Sequence, residues 1–190
     1  MISSVEDDIR RETAPRVDIA ALVIASLSFV IAGLALGWQI ATWTMDGPRV
    51  RATLQHGVLG RGGAVVSSVG SDHNLRDMSS MRSQGWDGPD VLAVLVTNHG
   101  RLRAKITRFG VQLKRGGMSV QYPAGNTWSP DLPYWLEPGE SATWYADMQD
   151  ARALVYATRQ SVQPNAGGVF MTIETGIGQT VRTKRALELE

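Results

Sequence analysis

Chemistry near neutral pH needs side chains that exchange protons, attack electrophiles or hold metals, and this 190-residue chain supplies few of them. Its histidines are His56, His73 and His99. Only His73 has an acidic neighbour, Asp72 in Gly70-Ser-Asp-His-Asn74. Adjacent side chains on a loop diverge, and the sequence indicates no third partner, so a solvated loop is expected there rather than a metal or proton-transfer site. The same polar, exposed role is expected of His56 and His99. Cysteine is absent, which removes thiolate nucleophiles, disulfides, cysteine-based zinc sites and cysteine-ligated iron–sulfur clusters together. Gly57-Val-Leu-Gly-Arg-Gly-Gly63 has the glycine density of a phosphate loop but lacks the Lys-Ser/Thr that reaches phosphate and magnesium, so it reads as a flexible turn. There is no Gly-x-Ser-x-Gly elbow. The chain is therefore expected to have no catalytic residue, no cofactor and no metal.

The other concentration of potential chemistry is aromatic. Tyr122, Trp128, Tyr134, Trp135, Trp144 and Tyr145 fall within one short stretch. Trp144 lies in an alternating run and is expected in a core. Trp128, Tyr134 and Trp135 belong to a Pro-rich connection, Pro123 to Trp135. Rings on such a loop suit a partner protein, a glycan or a membrane surface; the alternative is a lid folded back over one end of the domain.

Charge narrows the partners. Residues 1–18 carry three Arg against five Asp/Glu, and residues 46–190 carry sixteen Lys/Arg against thirteen Asp/Glu. The basic residues of the larger part are dispersed, without the run or stripe of a nucleic-acid binder, so no nucleic-acid partner is expected.

These residues must be positioned by elements, and the first is unmistakable. Ile19 to Ile40 is a charge-free stretch of 22 residues, and the uncharged window continues to Met45. As a helix it covers ~33 Å, enough for a hydrocarbon core of ~30 Å. Asp18 and Asp46 bracket it, and Trp38 and Trp43 sit at one end, where amphipathic rings favour the headgroup level. A cleaved signal peptide has a basic leader and an apolar core of only ~7–15 residues; here the leader is acidic and the core longer. An uncleaved single-pass signal-anchor helix over 19–45 is expected, preceded by a polar tail over 1–18. Gly33-Leu-Ala-Leu-Gly37, continued by Ala41, presents a small-residue face on which two helices can pack into a homodimer; the alternative is the ordinary abundance of Gly and Ala in transmembrane helices. Arg10, Arg11 and Arg16 balance Arg49, Arg51 and Arg61, so the positive-inside rule ties. The usual arrangement of a short tail inside favours an extracytoplasmic domain.

Residues 46–190 then read as short apolar runs separated by Gly, Pro, Asn and Asp, the pattern of a β domain. Strands are expected at Arg49–Leu54, Ala64–Val69, Val91–Thr97, Leu102–Lys114, Met118–Tyr122, Ser141–Met148, Val169–Thr175 and Gln179–Thr183, with a long exposed loop near 70–90. Val91–Thr97 is apolar on both faces, as a central strand is. Ala104 and Ile106 have the opposite parity to Phe109, Val111 and Leu113, which requires a bulge near Arg108 and Phe109. Asn98-His-Gly-Arg101 reads as a turn with Asn98 and Gly100 suited to positive φ. Pro138-Gly139 reads as a type II turn. Asp150 reads as the cap of a short helix, Ala151–Thr158. The expected fold is mainly β, a two-sheet sandwich after one transmembrane helix.

Val94-Leu-Val-Thr-Asn-His-Gly100, the Ile106–Leu113 strand, the Leu136-Glu-Pro-Gly139 turn and the final hairpin together resemble bacterial immunoglobulin-like sandwich modules. With Leu36-Gly-Trp-Gln-Ile40 and Gly47-Pro-Arg-Val-Arg51 added, residues 19–185 resemble uncharacterised actinobacterial or actinophage single-pass membrane proteins. The resemblance implies a fold and an anchor, and no activity. The expected function is a non-enzymatic, membrane-anchored binding or interaction module for an unknown protein or envelope ligand. The second expectation is a structural or assembly subunit of a membrane complex, packed through its helix.

Overall fold

A computed structural model describes residues 19–45, 47–60, 62–124 and 127–189. The tail over 1–18 lies outside the described residues, as do Asp46, Arg61 and the side chain of Trp43. Two compact units divide after Met45.

The first unit is helix α1, Ile19–Met45, which over Ile19–Thr42 is long and apolar enough to cross a membrane. Its residues from Ile19 to Ile40 are all exposed, as a helix surrounded by lipid rather than protein would be. Among the described side chains three hydroxyls interrupt the apolar surface, and each is turned back on the helix. Ser26 donates to the Leu22 carbonyl, Ser28 to Ile24 and Thr42 to Trp38. A polar group that finds a partner within its own helix costs far less in hydrocarbon than an unsatisfied one.

The second unit is a sandwich of two antiparallel sheets and is not a closed barrel. Strands β1 (Val50–Gly60), β2 (Gly63–Ser68) and β3 (Asp90–Asn98) share one sheet with β7 (Ser141–Asp147), in the order β2-β1-β3-β7. The other contains β4 (Ala104–Leu113), β5 (Ser119–Tyr122), β6 (Tyr134–Leu136), β8 (Gly168–Thr175), β9 (Thr180–Arg182) and β10 (Leu187–Glu188). Its order is β10-β8-β4-β5, with β6 also on β4 and β9 also on β8. The sets β1-β3-β7 and β9-β8-β4-β5 reproduce the A-B-E and G-F-C orders of an immunoglobulin-like sandwich, with β5 beyond C.

The core lies between the sheets and follows the period-2 patterning. Ala142, Trp144 and Ala146 of β7 are buried, facing Ile106, Phe109 and Val111 of β4 and Met171 and Ile173 of β8. The parity change in β4 is met as expected, by a register shift against β8 between Ile106 and Arg108. Gly139 has φ +79°, as the type II turn after Pro138 demands.

Four local expectations are corrected. Gly57 and Gly60 belong to β1, which continues well past Leu54. A Cβ on Gly57 would come within 1.8 Å of the Val65 carbonyl oxygen, so this glycine permits close strand approach rather than a flexible turn. Asn98 ends β3 with a fully buried side chain and has no positive φ. Asp147, not Asp150, caps the helix: its carboxylate accepts from the Gln149 amide at 2.8 Å, and the helix runs Met148–Ser161. Met118 lies outside β5 and is exposed, its sulfur accepting from the Thr158 hydroxyl. The loop over 70–90 carries one short helix, α2 (Ser79–Ser83), so the Met148–Ser161 helix is α3.

The strand registers define two ends. Val50, Asn98, Ser141 and Thr175 gather at the end where the chain enters, with the turns at 99–103, 137–140 and 176–178. The β1–β2 turn, the loop before β3 and α3 lie at the far end.

Candidate functional site

The seam between the two sheets closes unevenly. β2 pairs with β1 only from Gln55 to Gly60. Among the described residues the first half of β1, Val50 to Leu54, is therefore a sheet edge, apart from one bond from the Val69 amide to the Leu54 carbonyl. Across the seam β9 is a three-residue edge strand on β8. Uncovered edges carry unsatisfied backbone donors and acceptors and are where an extended segment can add.

Between these edges lies a cavity of about 350 Å³, within the size range of ligand sites. Its floor is apolar: Val50, Ala52, Leu54, Val69 and Val181. Its polar lining is Thr53 with Arg51, Arg182, Lys184 and Arg185, and among the described residues no Asp or Glu lines it. The period-2 alternation explains the division, since Ala52 and Leu54 point inward from β1 while Arg51 and Thr53 point out. Two of the cations are held in place. Arg185 donates to the Val69 carbonyl at 2.7 Å, and the Arg182 guanidinium sits 4.6 Å from the centre of the Phe170 ring. Such an arrangement attracts anions by charge and extended chains by its free edge.

The structure does not bring Trp128, Tyr134 and Trp135 together. Tyr134 turns to the core, edge-on to Trp144 at 5.8 Å, with its hydroxyl donating to Glu140; that bond raises the Tyr134 pKa and lowers that of Glu140. Trp135, on the opposite face of β6, is 46% exposed at the entry end, with Arg103 at 4.4 Å and Lys105 at 5.7 Å from its ring centre. Trp128 is 42% exposed at the far end, beside Leu59, Asp87 and Pro89. Tyr134 packs against the core from within β6, while Trp128 and Trp135 lie on different surfaces. On α1, nothing lies within 4 Å of where a Cβ would stand on Gly33 or Gly37, and Ala41 is half-buried.

The histidines divide differently from the sequence expectation. His99 is exposed as expected. His73 takes a positive φ and places Nδ1 2.9 Å from the Ala186 carbonyl, while its own carbonyl accepts from Glu188; it is a brace between the loop and the last strand. His56 is buried, and its Nε2 accepts from the Arg76 amide at 2.9 Å. Burial, reinforced by the Arg76 charge and opposed by Asp90, holds its pKa below the ordinary value of 6.5. The folded state favours the neutral imidazole, so as pH falls through 6.5 the unfolded chain takes up the proton first and stability is lost. The thermal midpoint is expected to fall between pH 7 and pH 5, above the carboxylate range, and to fall less in His56→Gln, whose amide oxygen can accept the same bond. An equal fall in both proteins would remove His56 as the cause.

Sequence reasoning missed the cationic groove because Arg51 and Arg182–Arg185 come from opposite ends of the domain. Arg182-Thr-Lys-Arg185 is a short basic cluster, but nothing in the sequence places Arg51 beside it. Among the described residues no group of three or more His, Asp or Glu stands where it could hold a metal. The chain matches no protein-family model, and no curated protein matches it.

Proposed function

We propose that this chain is a single-pass, membrane-anchored binding module without enzymatic activity, its sandwich outside the cytoplasm, and that the β1–β9 groove receives an extended, acidic segment of a protein partner. One observation carries the reading: among the described residues, four cations and no carboxylate line an apolar floor beside an uncovered strand edge. The edge supplies backbone pairing, and the cations select acidic side chains on the added strand. The non-enzymatic part is supported by where the reactive side chains are used. His56 and His73 hold loops, Tyr122 donates to Asp150, and Tyr134 donates to Glu140. The anchor reading is supported by α1.

The test uses the full chain in lipid nanodiscs and a fluorescent peptide of alternating Glu and Val, measured by anisotropy. Saturable binding that weakens with salt is expected. Arg182→Glu combined with Lys184→Glu is expected to weaken it at least ~10-fold, since like charges then face the ligand. Absence of saturable binding, or equal affinity in the variant, would reject the groove. For the orientation, a reporter active only outside the cytoplasm, fused after Glu190, is expected to be active.

A further inference from the structure

We infer that the entry end of the sandwich is a lipid-contacting surface that rests on anionic phospholipid headgroups. This does not depend on the groove having a ligand. Turn tips of soluble domains are ordinarily polar, yet two turns at this end present aliphatic side chains to solvent: Leu102 between β3 and β4 is 55% exposed, and Ile177 between β8 and β9 is 74% exposed. Trp135 stands with them, sharing a shallow pocket with Pro48 and Ile177. Arg103 and Lys105 flank the indole, and Arg49 is exposed on the incoming chain. Among the described residues Glu137 is the exposed carboxylate of the turns at this end, because Glu140 is engaged by the Tyr134 hydroxyl and the Glu137 amide.

Aliphatic tips, an interfacial Trp and surrounding cations are the composition that partitions into a headgroup layer: the apolar groups enter, the indole lies at the boundary and the cations meet phosphate. Chain length places this end within reach. Five Cα steps, from Met45 to Val50, span at most ~18 Å, and Val50 opens β1 at this end. A bilayer carrying acidic lipid is therefore the occupant whose charge complements the surface and which the anchor keeps at hand.

The chain has no native cysteine, so single labels report cleanly. Ile177→Cys and, as a far-end control on α3, Gln160→Cys would each carry a polarity-sensitive fluorophore, with the full chain in nanodiscs of phosphatidylcholine alone or mixed with phosphatidylglycerol. Brominated acyl chains serve as the quencher. The label at 177 is expected to shift to the blue and to be quenched several-fold more in the acidic discs, while the label at 160 stays unquenched in both. Arg103→Glu with Lys105→Glu should return the 177 signal to its level in neutral discs. Raising salt from about 0.05 to about 0.5 M, which shortens the screening length severalfold, should do the same without any charge substitution. Equal quenching in the two lipids, quenching at 177 no greater than at 160, or a salt-insensitive signal would each overturn the inference.

Discussion

Asn98→Ala is expected to destabilise the domain by about 4 kcal/mol, an exceptional loss for one side chain that carries so little apolar area. Asn98 is fully buried and every polar atom of its amide is used. Oδ1 accepts from the Gly100 amide at 2.9 Å and, at the long distance of 3.4 Å, from the Arg49 amide. Nδ2 donates to the carbonyls of Leu102 at 2.8 Å and Leu136 at 3.1 Å. One side chain thereby ties the start of β1, the β3–β4 turn and the end of β6. Alanine leaves these backbone groups without their partner, and each buried orphan costs ~1–3 kcal/mol; water entering the space returns part of that. In a domain of this size the loss corresponds to roughly 12 °C in thermal midpoint. Asn98→Asp should be at least as damaging, because an oxygen would replace the nitrogen that faces two carbonyls. Urea unfolding of the three proteins measures the order, and a loss below ~1 kcal/mol in Asn98→Ala would show that the bonds are readily replaced by solvent.

Trp144→Ala should cost a comparable ~3–5 kcal/mol, through packing rather than unsatisfied polar groups. The indole has no exposed surface, lies in the middle of β7 opposite Val94 of β3 and packs edge-on to Tyr134. It also has a polar function, since Nε1 donates to the Pro130 carbonyl at 3.2 Å. The connection that leads to β6 is thus fastened to the core at Pro130, and again where the Ser129 hydroxyl accepts from the Tyr145 amide. Trp144→Phe separates the two contributions. It keeps much of the buried ring but loses the bond, so a loss of about 1–2 kcal/mol is expected, together with faster hydrogen exchange in residues 127–133. Identical losses for Phe and Ala would mean that ring volume contributes little, which contradicts the packing argument. Both substitutions lie away from the groove and from the entry-end tips, so binding of the acidic peptide and quenching of the 177 label should survive in any protein that still folds.

Most of the architecture is encoded in local patterns of the chain. A charge-free stretch long enough to cross a bilayer specifies a helix whatever follows it, because hydrocarbon requires every backbone group to be paired within the segment. Alternation in Ser141–Met148 marks the buried face with Trp144, the parity break in 104–113 marks the bulge, and Pro138-Gly139 marks its turn type. Each of these signals lies within a window of a few residues and follows from backbone stereochemistry or the period of side-chain direction.

The remaining features depend on pairing between distant segments. A glycine reads as a loop until a neighbouring strand fills the space its Cβ would need, as Val65 does at Gly57. A histidine or asparagine reads as exposed until the fold supplies buried partners, as the Arg76 amide does for His56 and four backbone groups do for Asn98. Trp128 and Trp135, close in sequence, are sent to opposite ends of the sandwich, while Arg51 and Arg182, far apart in sequence, line one groove. The physical reason is common to all of these. Local periodicity determines which face a side chain occupies, but strand order and register determine what lies opposite it, and sites are made of what lies opposite.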